Sequence, residues 1–329
     1  MFNHIKKLAF ALLVAVTAQN AAFAEEVKKL NFGIISTDST QVLRNTWTPF
    51  LEDMSKKMGI EVKPFFASDY AGIIQAMRFN KVDVAWYGNK SAIEAVDRSG
   101  GEVFAQTVDV EGNPGYWSLL LTHKDSKLNS VEDVIKFKSE LTFGNGDPNS
   151  TSGFLVPSYY VFAKNNLDPK KAFKRVTNAN HETNALSVAN QKVDFATNNT
   201  ENLRRIEEKF PEKHKNIKVI WKSPLIPSDP IVWRKNLPES AKTKVYDFFM
   251  NYGTSGDKQE LANLERLQWA PFRASSDDQL LPIRQLSLFK DRIKIANSEN
   301  PDQKKLAEID EKLSVLNRRM AALAVLASR

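Results

Sequence analysis

Two stretches far apart in the chain share one pattern, and that pattern decides the fold. MRFNKVDVAWYGN, residues 77–89, is echoed by VANQKVDFATNNT, residues 188–200. Both follow a stretch of helical character, and both contain Lys-Val-Asp, an apolar residue and Ala ahead of a small polar turn. The echo predicts two similar α/β lobes, each with a strand that ends in a polar turn. Because ligands bind beyond the carboxyl ends of strands in open α/β sheets, two such ends facing each other would form a binding cleft.

The chain around the first stretch alternates β-rich runs with amphipathic ones. Strands are predicted at residues 30–36, 61–68 and 82–88, and helices at residues 41–57, 71–79 and 90–98. This alternation predicts parallel strands with helices on the faces of the sheet. A length of 329 residues is sufficient for two such domains.

The first 24 residues have the features of a signal peptide. Lys6 and Lys7 precede an apolar run at residues 8–16, and Ala22-Phe23-Ala24 forms an A-x-A cleavage site. The apolar run is shorter than the roughly 20 residues needed to span a membrane. We therefore predict cleavage after Ala24 and export to the periplasm of a Gram-negative cell.

Composition excludes several classes of function. The chain has no cysteine, which excludes disulfides, thiol catalysis, thiolate metal sites and a lipid-modified N-terminal cysteine. A freely soluble protein without a lipid anchor is therefore expected. The net charge is +7, but the 46 basic residues are interleaved with 39 acidic ones. A nucleic-acid-binding protein would concentrate basic residues on one stripe, so nucleic acid is not an expected partner.

The segment FGNGDPNSTSGFLVPSYYVFAKNN, residues 143–166, places three hydroxyl side chains at a predicted helix start. They are Ser150, Thr151 and Ser152. Free backbone N–H groups at a helix start attract anions, and hydroxyls add donors. Alternatively, one of the three caps the helix, which is worth about 1 kcal/mol. A phosphate-binding P-loop would need Lys-Ser or Lys-Thr after the last glycine, where Phe154 stands. Pro157 is predicted to kink the helix.

Other polar and aromatic candidates lie at the ends of predicted elements. His181 begins a predicted helix, where it could donate to an anion or be structural; no second histidine follows three or four residues later, so a metal site is not expected. Glu201 and Asp229 are each explained as solvated carboxylates, but together they could bind a cation or perform acid–base chemistry. Three tyrosines also end elements, with core packing as their default explanation: Tyr70, Tyr87 and Tyr116.

Motifs for catalysis are otherwise missing from the sequence. It contains no G-x-S-x-G elbow, no H-E-x-x-H and no G-x-G-x-x-G after a strand. An exported hydrolase that uses Glu201 or Asp229 is one alternative to a binding protein, and a structural or adhesive protein is another. Phosphate release from a chromogenic ester would identify the hydrolase.

The C-terminal 34 residues, 296–329, have a different pattern from the rest of the chain. Apolar residues recur there at spacings of three and four, as in a coiled-coil seam: Leu306, Ile309, Leu313, Leu316, Met320 and Leu323. One interpretation is a helix docked on its own lobe. The other is a helix that pairs with its copy in a homodimer.

Long, specific motifs link the chain to a known family. The motifs that show this resemblance include LNFGIIST, DYAGIIQAMRFNKVDVAWYGN, LTFGNGDPNSTSGFLVPSYYVFAKNN, HETNAL, ATNNTENL and IWKSPLIPSDPIVWRKNL. The sequence resembles the phosphonate-binding proteins of phosphonate ABC importers, the PhnD type, over about residues 30–290. The last 35 residues resemble the family only as a charged helix with spaced leucines.

The resemblance implies a type II periplasmic solute-binding fold with two α/β lobes, each a mixed sheet flanked by helices, and a C-terminal helical extension. One lobe would comprise residues 25–115 and 229–295, and the other residues 116–228. A ligand in the cleft between them would favour hinge closure, and the closed form would deliver it to a membrane permease. The resemblance implies no cofactor and no catalytic turnover.

The family's ligands are alkylphosphonates, with 2-aminoethylphosphonate favoured, and the resemblance also implies site residues. The phosphonate group would be bound by Tyr70, Tyr116, Ser150, Thr151, Ser152 and His181. Glu201 and Asp229 would bind the ammonium group of the ligand. Tyr87 is an additional candidate.

Overall fold

The computed structural model describes residues 27–327. The predicted signal peptide lies outside the described residues. Thirteen strands occur in this part of the chain: β1 (Lys29–Ile34), β2 (Glu61–Phe66), β3 (Val84–Trp86), β4 (Gly101–Asp109), β5 (Gly115–Tyr116), β6 (Ser118–His123), β7 (Thr142–Asn145), β8 (Arg175–Asn178), β9 (Phe195–Asn199), β10 (Ile217–Lys222), β11 (Ile226–Pro227), β12 (Pro230–Arg234) and β13 (Trp269–Ala274).

The helices cover the faces of the sheets. They are α1 (Thr40–Met58), α2 (Tyr70–Arg78), α3 (Asn89–Arg98), α4 (Val131–Lys136), α5 (Pro169–Ala172), α6 (His181–Ala189), α7 (Thr200–Lys209), α8 (Pro211–His214), α9 (Glu239–Asn251), α10 (Lys258–Arg266), α11 (Leu281–Ala296) and α12 (Gln303–Ala327). Within the described part of the chain, none of them has both the length and the apolar character required to cross a membrane.

Two mixed sheets define two lobes. The first lobe is built on six strands in the order β13-β4-β12-β3-β1-β2, and the second on five in the order β10-β6-β9-β7-β8. In the first sheet, β3 lies between parallel β1 and antiparallel β12. In the second, β9 lies between parallel β7 and antiparallel β6. The two echoed stretches therefore supply equivalent strands, as the sequence pattern predicted.

The predicted elements are all present in the structure, but each of the three predicted strands ends two residues earlier than expected. Each of the first three helices begins one residue earlier than predicted. However, β3 covers only residues 84–86 of the predicted 82–88. Val82 is not part of the strand because its N–H donates to the carbonyl of Ala76 at the end of α2. That bond tightens the turn between α2 and β3.

Aromatic side chains fill the core of each lobe. In the first lobe, Trp47 packs against Phe32 and Trp86 with ring centroids 5.4 Å apart in both pairs. In the second, Phe143 of β7 stacks on Phe195 of β9 at 4.5 Å. Such aromatic pairs contribute roughly 0.5–1.5 kcal/mol beyond the apolar area that they bury. This packing keeps the strand ends that face the other lobe rigid.

The two crossovers between the lobes are themselves paired. Strand β5 runs antiparallel to β11, with Gly115 opposite Pro227 and Tyr116 opposite Ile226. The backbones approach so closely at Gly115 that an added Cβ would lie 2.0 Å from the carbonyl oxygen of Ile226. Glycine is therefore required at this position, and the paired crossovers form a narrow hinge.

The C-terminal helix α12 docks on α11 of the same chain. Ile309 and Leu313, at the centre of the predicted seam, are 9% and 6% exposed. Arg292 of α11 donates to Asp310 at 2.6 Å. The remaining seam residues, Leu306, Leu316, Met320 and Leu323, are partly exposed. The docked-helix interpretation therefore accounts for the centre of the seam.

We expect Gly115→Ala to lower the free energy of unfolding by about 3 kcal/mol, because the methyl group cannot fit beside the carbonyl of Ile226. Gly112→Ala is the matched control: Gly112 has φ +77° but open space around it. Its left-handed backbone strain should cost only about 1 kcal/mol. Urea denaturation measures both. Equal losses would show that the crossovers can separate to accommodate the methyl group.

Candidate ligand-binding site between the lobes

The first polar cluster of the candidate site is formed where β7 turns into a short helix. Asn145 ends the strand, and the turn that follows is closed by the N–H of Ser150, which donates to the carbonyl of Asp147 at 2.8 Å. The Ser150 hydroxyl then accepts from the N–H of Gly153 at 2.9 Å. Ser150 is therefore an N-cap residue, as one of the two sequence interpretations had it.

Pro157 shapes this helix start. A proline has no N–H to donate and its ring clashes with the carbonyl four residues earlier. That carbonyl belongs to Gly153, and it accepts instead from the N–H of Gly146 at 3.0 Å. The backbone widens into two π-helical turns, Thr151–Leu155 and Ser158–Phe162. The kink predicted from Pro157 thus takes the form of π-helical turns.

The three hydroxyls are oriented by N–H groups that donate to them. Ser150 accepts from the N–H of Gly153, Thr151 from the N–H of Lys90 at 2.8 Å, and Ser152 from the Asn199 side chain at 3.0 Å. All three are almost fully buried. Because an N–H already engages each hydroxyl oxygen, each hydroxyl hydrogen is left to donate elsewhere, to a ligand oxygen or, for Ser150, to Nε2 of His181 at 3.4 Å. Capping and anion binding are thus compatible here.

His181 lies beside these hydroxyls, at the start of α6. Its Nε2 is 3.4 Å from the Ser150 hydroxyl and 3.3 Å from the Asn199 side-chain nitrogen. Its Nδ1 is buried and has no hydrogen-bond partner within the described residues. Burial lowers the pKa of His181 to about 4, so the ring is neutral at pH 7. The histidine therefore offers the site a hydrogen-bonding group but not a positive charge.

Asn199, which the sequence analysis missed, organises this end of the site. Its side-chain oxygen accepts from the N–H of Asn202 at 2.7 Å and so caps α7. That bond fixes the orientation of the amide, because the NH₂ group must then face Ser152 and His181. An Asn directly before Thr-Glu at a helix start is an N-cap signal that could have identified it. Asn199 thus joins the hydroxyl cluster to the helix that carries Glu201.

The tyrosines have three different environments. Tyr70 is buried at the start of α2; burial, with nearby Asp147, raises its pKa well above the usual value. Tyr87 donates to the carbonyl of Ile73 at 3.1 Å within the core of the first lobe. Tyr116 donates to a carboxylate oxygen of Asp229 at 2.9 Å. Tyr70 and Tyr116 thus lie in the cleft. Tyr87 instead packs in the core of the first lobe, which is the default explanation given for the tyrosines above.

Two carboxylates lie at the other end of the cleft. Asp229 precedes β12 and also accepts from the indole N–H of Trp86 at 3.1 Å. Burial, and then the neighbouring Glu201, raise the pKa of Asp229 well above its usual value. Burial likewise raises the pKa of Glu201, and Arg205 opposes that rise. The two acids are thus close enough to repel each other electrostatically, and a bound cation would relieve that repulsion.

The lobes are closed on each other around these groups. The N–H of Tyr70 in the first lobe donates to Asp147 in the second at 3.2 Å. Asn202 of α7 donates to Asp38 of the first lobe at 2.9 Å. Asp38 is 4% exposed, and sequence reasoning missed it because it lies in an ordinary polar loop. Hydrogen bonds between the lobes therefore lie next to the candidate site residues.

Hydroxyl donors at one end of the cleft and carboxylates at the other suit a ligand that is negative at one end and positive at the other. Within residues 27–327, no three His, Cys, Asp or Glu side chains are grouped so as to hold a metal ion. Two lobes, each built on a mixed sheet and joined by paired crossovers, define a type II periplasmic solute-binding protein.

Sequence comparison identifies the family. The family described as "ABC transporter, phosphonate, periplasmic substrate-binding protein" matches residues 32–280. The chain therefore belongs to the periplasmic phosphonate-binding proteins of ABC transporters.

Relatives and solved structures agree with this assignment. The phosphonates-binding periplasmic protein of Escherichia coli K12 is 61% identical over 330 residues, or 98% of this chain and 97% of that one. A binding protein component of an ABC phosphonate transporter from Pseudomonas aeruginosa has 59% identity and a TM-score of 0.89, covering 91% of this chain and 100% of that chain. A Prochlorococcus marinus protein solved with methylphosphonate has 22% identity and a TM-score of 0.70, over 79% and 97% of the two chains, and so shares the fold.

These findings confirm the resemblance, the type II fold and a role in transport rather than catalysis. They place the protein in the periplasm, with a phosphonate ligand and the membrane permease of its importer as partners. The hydrolase and adhesive alternatives are accordingly set aside.

The depressed pKa of His181 predicts how stability depends on pH. Between pH 6.5 and about 4 the unfolded chain binds a proton on His181 that the folded chain does not, so the folded state loses stability as pH falls. The loss is on the order of 3 kcal/mol. We expect His181→Gln to remove this component, leaving a shallower decline of unfolding free energy across that window in urea titrations. Parallel pH profiles for the two proteins would contradict a neutral buried His181.

Proposed function

We propose that this periplasmic component binds 2-aminoethylphosphonate by closing its two lobes around it. The observation that carries the proposal is that hydroxyl donors of the second lobe and a buried carboxylate of the first lie close together: Thr151 Oγ1 and Asp229 Oδ1 are 3.2 and 3.9 Å from the Cβ position of Gly88. Ser150, Thr151 and Ser152 present hydroxyl hydrogens at one end. Asp229 and Glu201 stand at the other end, each with its pKa raised by burial.

The anion end suits a phosphonate. Its three hydroxyls match the three oxygens of a phosphonate group, and the helix start adds backbone dipoles of the correct sign. Tyr70, Tyr116 and His181 are the further residues that we assign to this end. Tyr116 donates its single hydroxyl hydrogen to Asp229, so it would have to exchange that bond in order to donate to the phosphonate. Neutral donors bind the anion without a fixed counter-charge such as arginine.

The cation end suits an ammonium group. Two neighbouring carboxylates, Asp229 buried and Glu201 partly buried, are costly to ionise together, because each raises the free energy of ionising the other. An ammonium group on a two-carbon tether would pair with Glu201 and Asp229 while the phosphonate remains on the hydroxyls. The ligand would thus supply the positive charge that stabilises the closed form.

Closure would then signal occupancy to the importer. The lobes are the two units 25–115 with 229–295 and 116–228, joined by the crossovers that pair at Gly115 and Ile226. A ligand that contacts both lobes favours the closed form by its differential affinity for it. The membrane permease would recognise that form. The proposal includes export by a cleaved signal peptide at residues 1–24, without a lipid anchor.

Calorimetric titration with three ligands tests the proposal. Purified protein freed of bound ligand is titrated with 2-aminoethylphosphonate, ethylphosphonate and phosphate. We expect ethylphosphonate to bind about 100-fold more weakly than the amine, a cost on the order of 3 kcal/mol, because it brings no cation to the two neighbouring carboxylates. Equal affinities would remove Glu201 and Asp229 from ligand recognition. Tight binding of phosphate would point to a different oxyanion as substrate.

Matched variants separate the two ends. Glu201→Gln should weaken 2-aminoethylphosphonate strongly and ethylphosphonate little, because only the first ligand carries an ammonium group. Ser152→Ala should weaken both ligands alike, because both carry the phosphonate. If Glu201→Gln weakened both ligands equally, its role would be structural.

The homodimer proposed from the C-terminal seam rests on the residues that docking on α11 leaves partly exposed. The seam residues Leu316 and Met320 are partly exposed, whereas Leu313 is almost fully buried. We expect Leu316→Glu with Met320→Glu to convert a dimer to a monomer in sedimentation, with ligand affinity unchanged. Lys312→Glu, on an exposed position of the same helix, is the control for added charge. A wild-type monomer, or a dimer that persists in the double variant, would contradict the proposal.

A further inference from the structure

The helix that carries Glu201 also carries two arginines that compete with any cationic ligand. Arg204 and Arg205 follow Glu201 by three and four residues on α7. Side chains at those spacings are neighbours on a helix, and Glu before a basic residue at i,i+4 is the favourable order for an ion pair. Left to itself, α7 would therefore neutralise Glu201 with its own arginines.

Acidic residues of the first lobe engage both arginines. Arg205 lies 3.7 Å from Asp38, measured from its Nε to a carboxylate oxygen. Arg204 donates to Asp109 at 2.7 Å and contacts Glu111 at 3.2 Å. Within residues 27–327, no ion pair within 4.0 Å links Glu201 to either arginine. The two arginines therefore contact acidic residues of the first lobe instead of Glu201 on their own helix.

Asp38 is held in position for this role. It is 4% exposed, and one of its carboxylate oxygens accepts from the hydroxyl of Thr37 at 2.7 Å. The other accepts from the side chain of Asn202 at 2.9 Å. Neither donor carries a charge, so the charge of Asp38 remains available to Arg205. Burial raises the pKa of Glu201 and of Asp229, and Arg205 is close enough to oppose that rise, so its charge would compete with that of a cationic ligand.

We propose that Asp38 is a specificity-determining residue: by drawing Arg205 across the cleft, it leaves the charge of Glu201 to the ligand's ammonium group. The inference rests on the proposed function, because it presupposes an ammonium group at Glu201. Asp38 does not itself contact the ligand in this scheme. Asp109 acts in the same way on Arg204, with Glu111 in support.

A double-mutant cycle on selectivity tests the proposal. Calorimetry gives the ratio of the dissociation constants of ethylphosphonate and 2-aminoethylphosphonate for the wild type, Asp38→Asn, Arg205→Gln and the double variant. Asn retains an oxygen for the Asn202 bond, so the change removes chiefly the charge. We expect Asp38→Asn to lower the selectivity ratio about tenfold, since Arg205 would then pair with Glu201. In the Arg205→Gln background the same change should alter the ratio less than about twofold.

Thr46→Val is the control for loss of an inter-lobe contact in general. The hydroxyl of Thr46 accepts from Lys209 at 3.2 Å, two turns along α7 from Glu201. This change should weaken both ligands by the same factor and leave the ratio unchanged.

The outcomes separate the possible mechanisms. If Asp38→Asn weakened both ligands equally, Asp38 would only stabilise closure, and the inference would be wrong. An equal fall in selectivity with and without Arg205 would mean that Asp38 attracts the ammonium group directly, which also overturns it. A wild type that binds both ligands equally would instead refute the proposed function itself, and the inference with it.

Discussion

The buried carboxylate of Asp229 is the interaction on which the arrangement of the site depends. It joins three parts of the molecule: the hinge through Tyr116, the core of the first lobe through Trp86, and the second lobe through the charge of Glu201. A charge in such a place requires a partner, because desolvation costs several kcal/mol per ion. Two neutral donors meet part of that need. The part of the charge that these donors do not stabilise makes closure of the lobes depend on the charge of the ligand between them.

The hydroxyl end and the carboxylate end of the cleft differ in the contacts that hold their side chains in position. At the anion end, N–H groups from the helix start, from Lys90 and from Asn199 orient three hydroxyls, so the donors are in position before a ligand arrives. At the cation end the acids are close together and are kept from the arginines of α7 by contacts to the first lobe. The first end is preorganised, whereas, under the proposed function, the second would become complementary to an ammonium group only when the lobes meet.

Much of the fold could be predicted from the sequence because the decisive patterns are local. The echo of residues 77–89 identified equivalent strands, and Pro157 marked the irregular helix. Asp38 and Asn199 were missed because their roles depend on residues distant in sequence: Asp38 meets α7 from 164 positions away, measured to Asn202. Tyr116 shows a further limit. The family resemblance placed it near the phosphonate, but a sequence cannot show that its hydroxyl donates to Asp229.

Strand β12 has a consequence for the order in which the chain folds. It lies in the middle of the first sheet, between β3 and β4, yet it is synthesised after the whole of the second sheet. The first lobe consequently cannot complete its sheet from its N-terminal segment alone, and closing it requires pairings between residues about 130 positions apart, such as Val232 with Val103. Pairings of such long range form slowly. A chain built in this way remains incompletely folded until most of it has emerged from the ribosome.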